Sequence, residues 1–103
     1  MATVFKTNQL PTAPNEEFVL PENDLLATLQ QKVGGFIEFI YFSDGSAFVV
    51  DEEGRVKEKD PNRLATILCV LKGLPQDLPI VGDAVFLSRE EMKGLNRKTY
   101  LPA

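Results

Sequence analysis

Residues 36–54, FIEFIYFSDGSAFVVDEEG, constrain the fold more than any other part of the chain. Phe36 to Phe42 concentrates aromatic and β-branched side chains, which suit a pleated, packed surface. Alternation places Phe36, Glu38, Ile40 and Phe42 on one face and Ile37, Phe39 and Tyr41 on the other. Both faces are mostly apolar, which predicts a strand covered on both sides. Ser43-Asp44-Gly45 fits a three-residue hairpin loop, with Gly45 taking the left-handed position. Ala47 to Val50 runs back. Asp51 to Gly54 is a second turn, and Arg55-Val56-Lys57 is a candidate third strand whose charges discourage edge-to-edge pairing.

The flanking segments supply helices and further strands. Thr3-Val4-Phe5 reads as a short strand, the proline-bearing stretch 8–15 as a loop, and Glu16 to Leu20 as a second short strand or an extended lead-in closed by Pro21. The first helix should start at Asn23 or Asp24, either of which can accept from the orphan amides of a first turn. Leu25, Leu26, Leu29 and Val33 form its apolar stripe, and Gly34-Gly35 ends it. For the second helix, Asp60 is the candidate cap and Pro61 the first helical residue. Its stripe is Leu64, Ile67, Leu68 and Leu71, widened by Ala65 and Val70, and Gly73 and Pro75 stop it. Ile80 to Leu87 reads as a strand bent at Gly82-Asp83. Ser88-Arg89-Glu90-Glu91 resembles a capping box opening a short helical turn, and residues 89–103 read as a polar surface tail.

These elements predict one α+β domain over residues 1–103. It is a two-layer arrangement with an antiparallel or mixed sheet of about four to five strands, centred on residues 36–42 and 47–50, and two main helices. Because residues 36–42 are apolar on both sides, either the helices cover opposite faces or a partner buries the second one, as in a symmetric dimer.

The chain of 103 residues has no histidine and one cysteine. That removes the commonest general base and metal ligand, any intramolecular disulfide and any multi-cysteine zinc site. With no signal-peptide pattern, the cysteine count points to a reducing cytoplasm. No apolar run reaches the length of about 18 residues needed to span a membrane. The net charge of −4 argues against a broad phosphate-binding surface and a nucleic-acid partner. Acids dominate between Glu38 and Asp60 and bases from Arg89 onward, so the two regions are candidates to meet within one molecule or across an interface.

Candidate site residues are few. Glu38 is a carboxylate within an apolar strand. It is either a buried acid with a raised pKa or a residue near the sheet border, paired with a Lys or Arg or reaching water. Arg89, Arg97 and Lys98 beside Tyr100 combine cations with a stacking ring, the elements of a ligand or nucleic-acid contact. Asp44, Asp51, Glu52 and Glu53 fail the alternate spacing of a calcium loop and read as solvated turn acids. Cys69 lacks a histidine partner and reads as a small buried hydrophobe. Gly34-Gly35 closes a helix where a phosphate loop would open one, so the dipole there favours cations. No catalytic residue, cofactor or metal set emerges.

Leu29-x-x-x-Val33-Gly34-Gly35-Phe36-Ile37-Glu38, Val49-Val50-Asp51-Glu52-Glu53-Gly54, Pro61-Asn62-Arg63 with Ala65-Thr66, and Ile80-Val81-Gly82-Asp83-Ala84-Val85 resemble the family named domain of unknown function 3846, over roughly Asp24 to Leu87. The resemblance implies a protein of bacteria, archaea, phages or mobile elements with no established activity. It carries over no site residue. The reading that follows is a non-catalytic protein-interaction or regulatory module, pairing with itself as a homodimer or with another protein. The alternatives are a small-molecule or nucleic-acid-binding accessory protein using the basic tail, and an acid-dependent enzyme using Glu38.

Overall fold

Strands β1 (Ala2–Phe5), β2 (Glu16–Phe18), β3 (Ile37–Tyr41), β4 (Ala47–Asp51) and β5 (Ala84–Leu87) form one open antiparallel sheet in the order β2-β1-β5-β4-β3. Helices α1 (Leu25–Val33), α2 (Arg63–Leu71) and α3 (Arg89–Arg97) complete the α+β fold. The computed structural model describes residues 1–7, 12 and 15–97.

Alternation along β4 sorts the core into two halves. Ala47 and Val49 point into a cluster with Leu25, Leu29 and Val33 of α1 and Met92 and Leu95 of α3. Phe48 and Val50 point the other way, into a cluster with Ala65 and Cys69 of α2. The first two helices therefore take opposite faces, and every residue of β4 is buried. On the α2 side Phe48 is the hub. Its ring meets Phe5, Phe42 and Phe86 edge-to-face at centroid separations of 5.4, 5.7 and 5.8 Å, the arrangement that ring quadrupoles favour.

The Phe36–Phe42 strand is not at the centre of the sheet. As β3 it is an edge strand, hydrogen-bonded only to β4, and the middle place belongs to β5. The expected cover on both sides is only partial: Ile37 and Phe39 lean on the α1 cluster and Ile40 on the α2 cluster, while Phe36, Glu38 and Tyr41 are exposed. Coverage of the faces says nothing about rank within the sheet. The hairpin turn forms as expected, with Gly45 at φ 92° and its amide donating to the Phe42 carbonyl at 3.1 Å. Residues 55–57 are not a strand. They belong to a run of turns, with Val56 exposed.

Helix boundaries follow local chemistry, with two corrections. Gly34 takes the left-handed C-cap of α1 at φ 80° and donates to the Gln30 carbonyl. At the other end Asp24 occupies the cap position at φ 56°, and its side chain caps nothing. Leu26 faces outward. For α2 the cap is Asn62, whose side chain accepts from the Ala65 amide at 3.1 Å. Asp60 and Pro61 precede it, and Pro61 bridges to Val81. A fully buried asparagine outcompetes Asp60 because its amide also holds two carbonyls from distant strands: Nδ2 donates to Phe5 at 2.6 Å and to Gly82 at 2.9 Å.

The capping box at the start of α3 is reciprocal. The Ser88 amide donates to Glu91 at 2.9 Å, and the Glu91 amide donates to Ser88 Oγ at 3.2 Å. It opens a nine-residue helix, not a single turn. Residues 89–97, read from sequence as the start of a polar tail, instead close one face of the core through Met92 and Leu95. Residues 98–103 lie outside the described residues.

Candidate functional site

The outer face of α2 is the most unusual surface of the molecule. The sequence stripe Leu64, Ile67, Leu68 and Leu71 does not all face the sheet. The inward positions are Ala65 and Cys69, with Leu68 packed partly against the cluster. The aromatic floor of Phe5, Phe42, Phe48 and Phe86 supplies the bulk on this side, so the fully buried positions of the helix are small residues. The large apolar residues are turned to solvent: Ile67 is 54% exposed, Val70 55% and Leu71 76%. Leu74 and Leu78 extend the patch beyond the helix end. On a helix, residues at i, i+3, i+4 and i+7 share one side, so Ile67, Val70, Leu71 and the onset of Leu74 form a contiguous apolar stripe.

A second feature is polar and internal. The Asp51 side chain is fully buried at the end of β4, where the sequence suggested a solvated turn acid. Its Oδ2 receives Lys59 Nζ at 2.7 Å and Lys57 Nζ at 2.9 Å, and its Oδ1 accepts from the Glu53 amide at 2.9 Å. Burial alone would raise this carboxyl. The hydrogen bonds from Lys59, Lys57 and the Glu53 amide outweigh it and bring the pKa down to about 2. The same ammonium groups reach the C-terminal end of α1: Lys59 donates to the Val33 carbonyl at 2.6 Å and Lys57 to that of Gly34 at 3.2 Å. The expectation that this helix end favours cations is met by the chain's own lysines. With two ammonium groups on Asp51, the place is electrostatically wrong for a metal ion.

Lys59 reaches Asp51 along a slot between two left-handed glycines. A Cβ on Gly82 would meet Lys59 Cδ at 2.9 Å, and one on Gly34 would meet Nζ at 3.0 Å. The slot floors an open polar cleft of about 480 Å³, lined by Thr7, Gln31, Lys32, Glu58, Lys59 and Asp83 among others. Its walls carry both signs of charge.

The residues singled out from sequence do not assemble into one site. Glu38 is exposed on the edge strand, beside Ile40, Arg55 and Val56 in a shallow hollow of about 230 Å³. Its exposure is at odds with the buried-acid reading. Arg89 begins α3 with its aliphatic stem against Gly45 at the hairpin tip, away from the mid-strand position of Glu38. Arg97 closes α3, and Lys98 and Tyr100 lie outside the described residues. The acidic hairpin finds a base elsewhere: Lys72, just past α2, pairs with Asp44 at 2.5 Å. That contact and two hydrogen bonds from Ser46 hold the Asp44 carboxyl below its usual range. Cys69 is buried and its thiol is pushed up by that burial, as expected of a core residue.

Sequence reasoning missed Asp51 and Asn62. The available signal was Lys57-x-Lys59 following an acid, close to a helix end already known to favour cations.

This is a small α+β domain with an open five-stranded sheet, an apolar helix face turned outward and a buried acid clasped by two lysines. The family model for a domain of unknown function, DUF3846, matches residues 7–100, and the chain belongs to that family. The match extends beyond the segment that carries the sequence resemblance, at both ends. No curated protein and no solved structure matches the chain. Among the described residues, no helix is long and apolar enough to cross a membrane.

Proposed function

We propose that this domain acts by binding protein through the outer face of α2, as an interaction or regulatory module without chemistry of its own. The observation that carries this reading is the outward stripe of Ile67, Val70 and Leu71, continued by Leu74 and Leu78. A single exposed leucine is ordinary, but a contiguous stripe on one helix leaves apolar area in water that association would bury. Each side chain of this size transferred from water contributes roughly 1.5–3 kcal/mol. The cleft above Lys59 offers less, because its two lysines are already engaged, Lys32 by Glu16 and Lys59 by Asp51.

The test replaces Ile67 and Leu71 by lysine. Protein purified from its own host and weighed by native mass spectrometry should carry a second polypeptide, whether itself or another chain. The I67K/L71K variant should be alone, and should melt as the wild type does when the wild type is dilute enough to be free of its partner. A wild-type protein that is always alone, or a variant that keeps its partner, overturns the reading.

A further inference from the structure

We infer that the occupant of the α2 face is a second copy of this chain, packed antiparallel to the first across a two-fold axis. The inference rests on the reading of that face as a binding surface, and charge supplies the rest. Arg63 heads the stripe, one turn before Ile67 and on the same side of the helix. Asp77 lies in the loop beyond its other end, close to Leu74 and Leu78 in sequence. Both residues are exposed, and neither makes an ion pair or hydrogen bond among the described residues. The neighbouring cations are already engaged: Lys72 with Asp44, and Arg55, near the Asp77 loop, with the Pro79 carbonyl at 2.9 Å.

The stripe is thus apolar in the middle, with an unpaired cation at one end and an unpaired anion at the other. Such a surface is complementary to itself in one orientation. Arg63 and Asp77 stand equally far from Val70 along the sequence, on opposite sides of it. A two-fold axis near Val70 brings Arg63 of each copy towards Asp77 of the other and closes Ile67, Leu71 and Leu74 between them. The antiparallel arrangement also opposes the two helix dipoles favourably. A parallel pairing would set Arg63 against Arg63 and leave both acids unmatched, so charge selects the orientation as well as the partner.

Sedimentation equilibrium of the purified full chain, over a range of concentrations, tests this with charge swaps at exposed positions that do not threaten the fold. The wild type should dimerise. Arg63→Glu alone, or Asp77→Lys alone, should weaken the dimer about tenfold, since each creates two like-charge contacts across the axis. The R63E/D77K double variant should recover the wild-type dissociation constant. High salt should narrow these differences. A wild type that stays monomeric when pure, yet loses another chain from its host through I67K/L71K, overturns self-pairing and leaves the protein-binding reading standing. Single variants that dimerise as the wild type does, or a double variant that fails to recover, overturn the antiparallel arrangement.

Discussion

Lys59 Nζ lies 2.7 Å from the buried Asp51 carboxylate while donating to the Val33 carbonyl at 2.6 Å, so one ammonium group ties the end of β4 to the end of α1. Lys57 repeats the connection through the Gly34 carbonyl. The pair compensates a carboxylate that has no access to water, and it neutralises helix carbonyls that have no partner in the next turn.

Asp51→Asn keeps the shape and leaves two lysines without their counter-charge. We expect it to cost about 2 kcal/mol in urea unfolding at neutral pH. This is below the usual loss for a wholly buried pair, because both lysines are partly exposed. The pH dependence follows from the direction of the shift. Folding lowers this carboxyl from 3.8 to about 2. Its contribution is therefore complete above about pH 4 and is lost as the pH falls towards 2. Stability curves of the wild type and D51N should converge across that window. Curves that stay parallel would show that Asp51 is not the linked group.

Asn62 is the polar counterpart of this arrangement. It caps α2 through Oδ1 and holds carbonyls of Phe5 and Gly82 through Nδ2. Asn62→Ala should cost about 3 kcal/mol, combining a lost cap with two buried carbonyls left unpaired. Asn62→Asp should be worse at neutral pH, since it keeps the cap but turns a carboxylate oxygen towards two carbonyl oxygens. Partial recovery of N62D in mild acid, before the wild type unfolds, is the expected signature of protonation. Equal melting of N62A and the wild type would contradict the assignment.

Two glycines separate backbone strain from packing. Gly73 and Gly82 have nearly the same left-handed backbone, at φ 81° and 78°. A Cβ on Gly73 meets nothing within 4 Å, whereas one on Gly82 strikes Lys59 Cδ at 2.9 Å. Gly73→Ala should cost about 1 kcal/mol for the conformation alone. Gly82→Ala should cost more, with the excess shrinking when Asp51 is already Asn. A simple sum of the G82A and D51N effects would mean that the slot does not guide Lys59.

Much of the local architecture was legible in the sequence because its causes are local. Gly34, Gly45 and the Ser88–Glu91 box each fix their own turn. The facing of α2 was not legible. Its apolar stripe is real, but what decides its direction is an aromatic floor assembled from Phe5, Phe42, Phe48 and Phe86, separated widely in the chain. Asp51 and Asn62 escaped for the same reason: a polar residue in a turn reads as solvated until its distant partners are known. Of the proposed site residues, Glu38 could be placed only at the level of its strand. Its exposure depends on β3 being an edge, which alternation does not encode.

The orientation of α2 has a direct consequence for mutagenesis. In protein dilute enough to be monomeric, Leu71→Gln should leave the melting temperature essentially unchanged or raise it slightly. Leu29→Ala, on α1 and 1% exposed, should cost about 3 kcal/mol. Equal losses at the two positions, measured by thermal melting, would show that Leu71 faces the sheet.

The position of β5 governs when this protein can fold during synthesis. The middle strand of the sheet is the last one made, and both of its neighbours, β1 and β4, must wait for it. Until residue 87 has left the ribosome, the nascent chain holds two separate strand pairs with their inner edges bare. Closing the sheet then joins Thr3 to Phe86, nearly the full length of the described chain. Folding should therefore be slow for a domain of this size, and the interval before β5 emerges is when the chain is most exposed to aggregation.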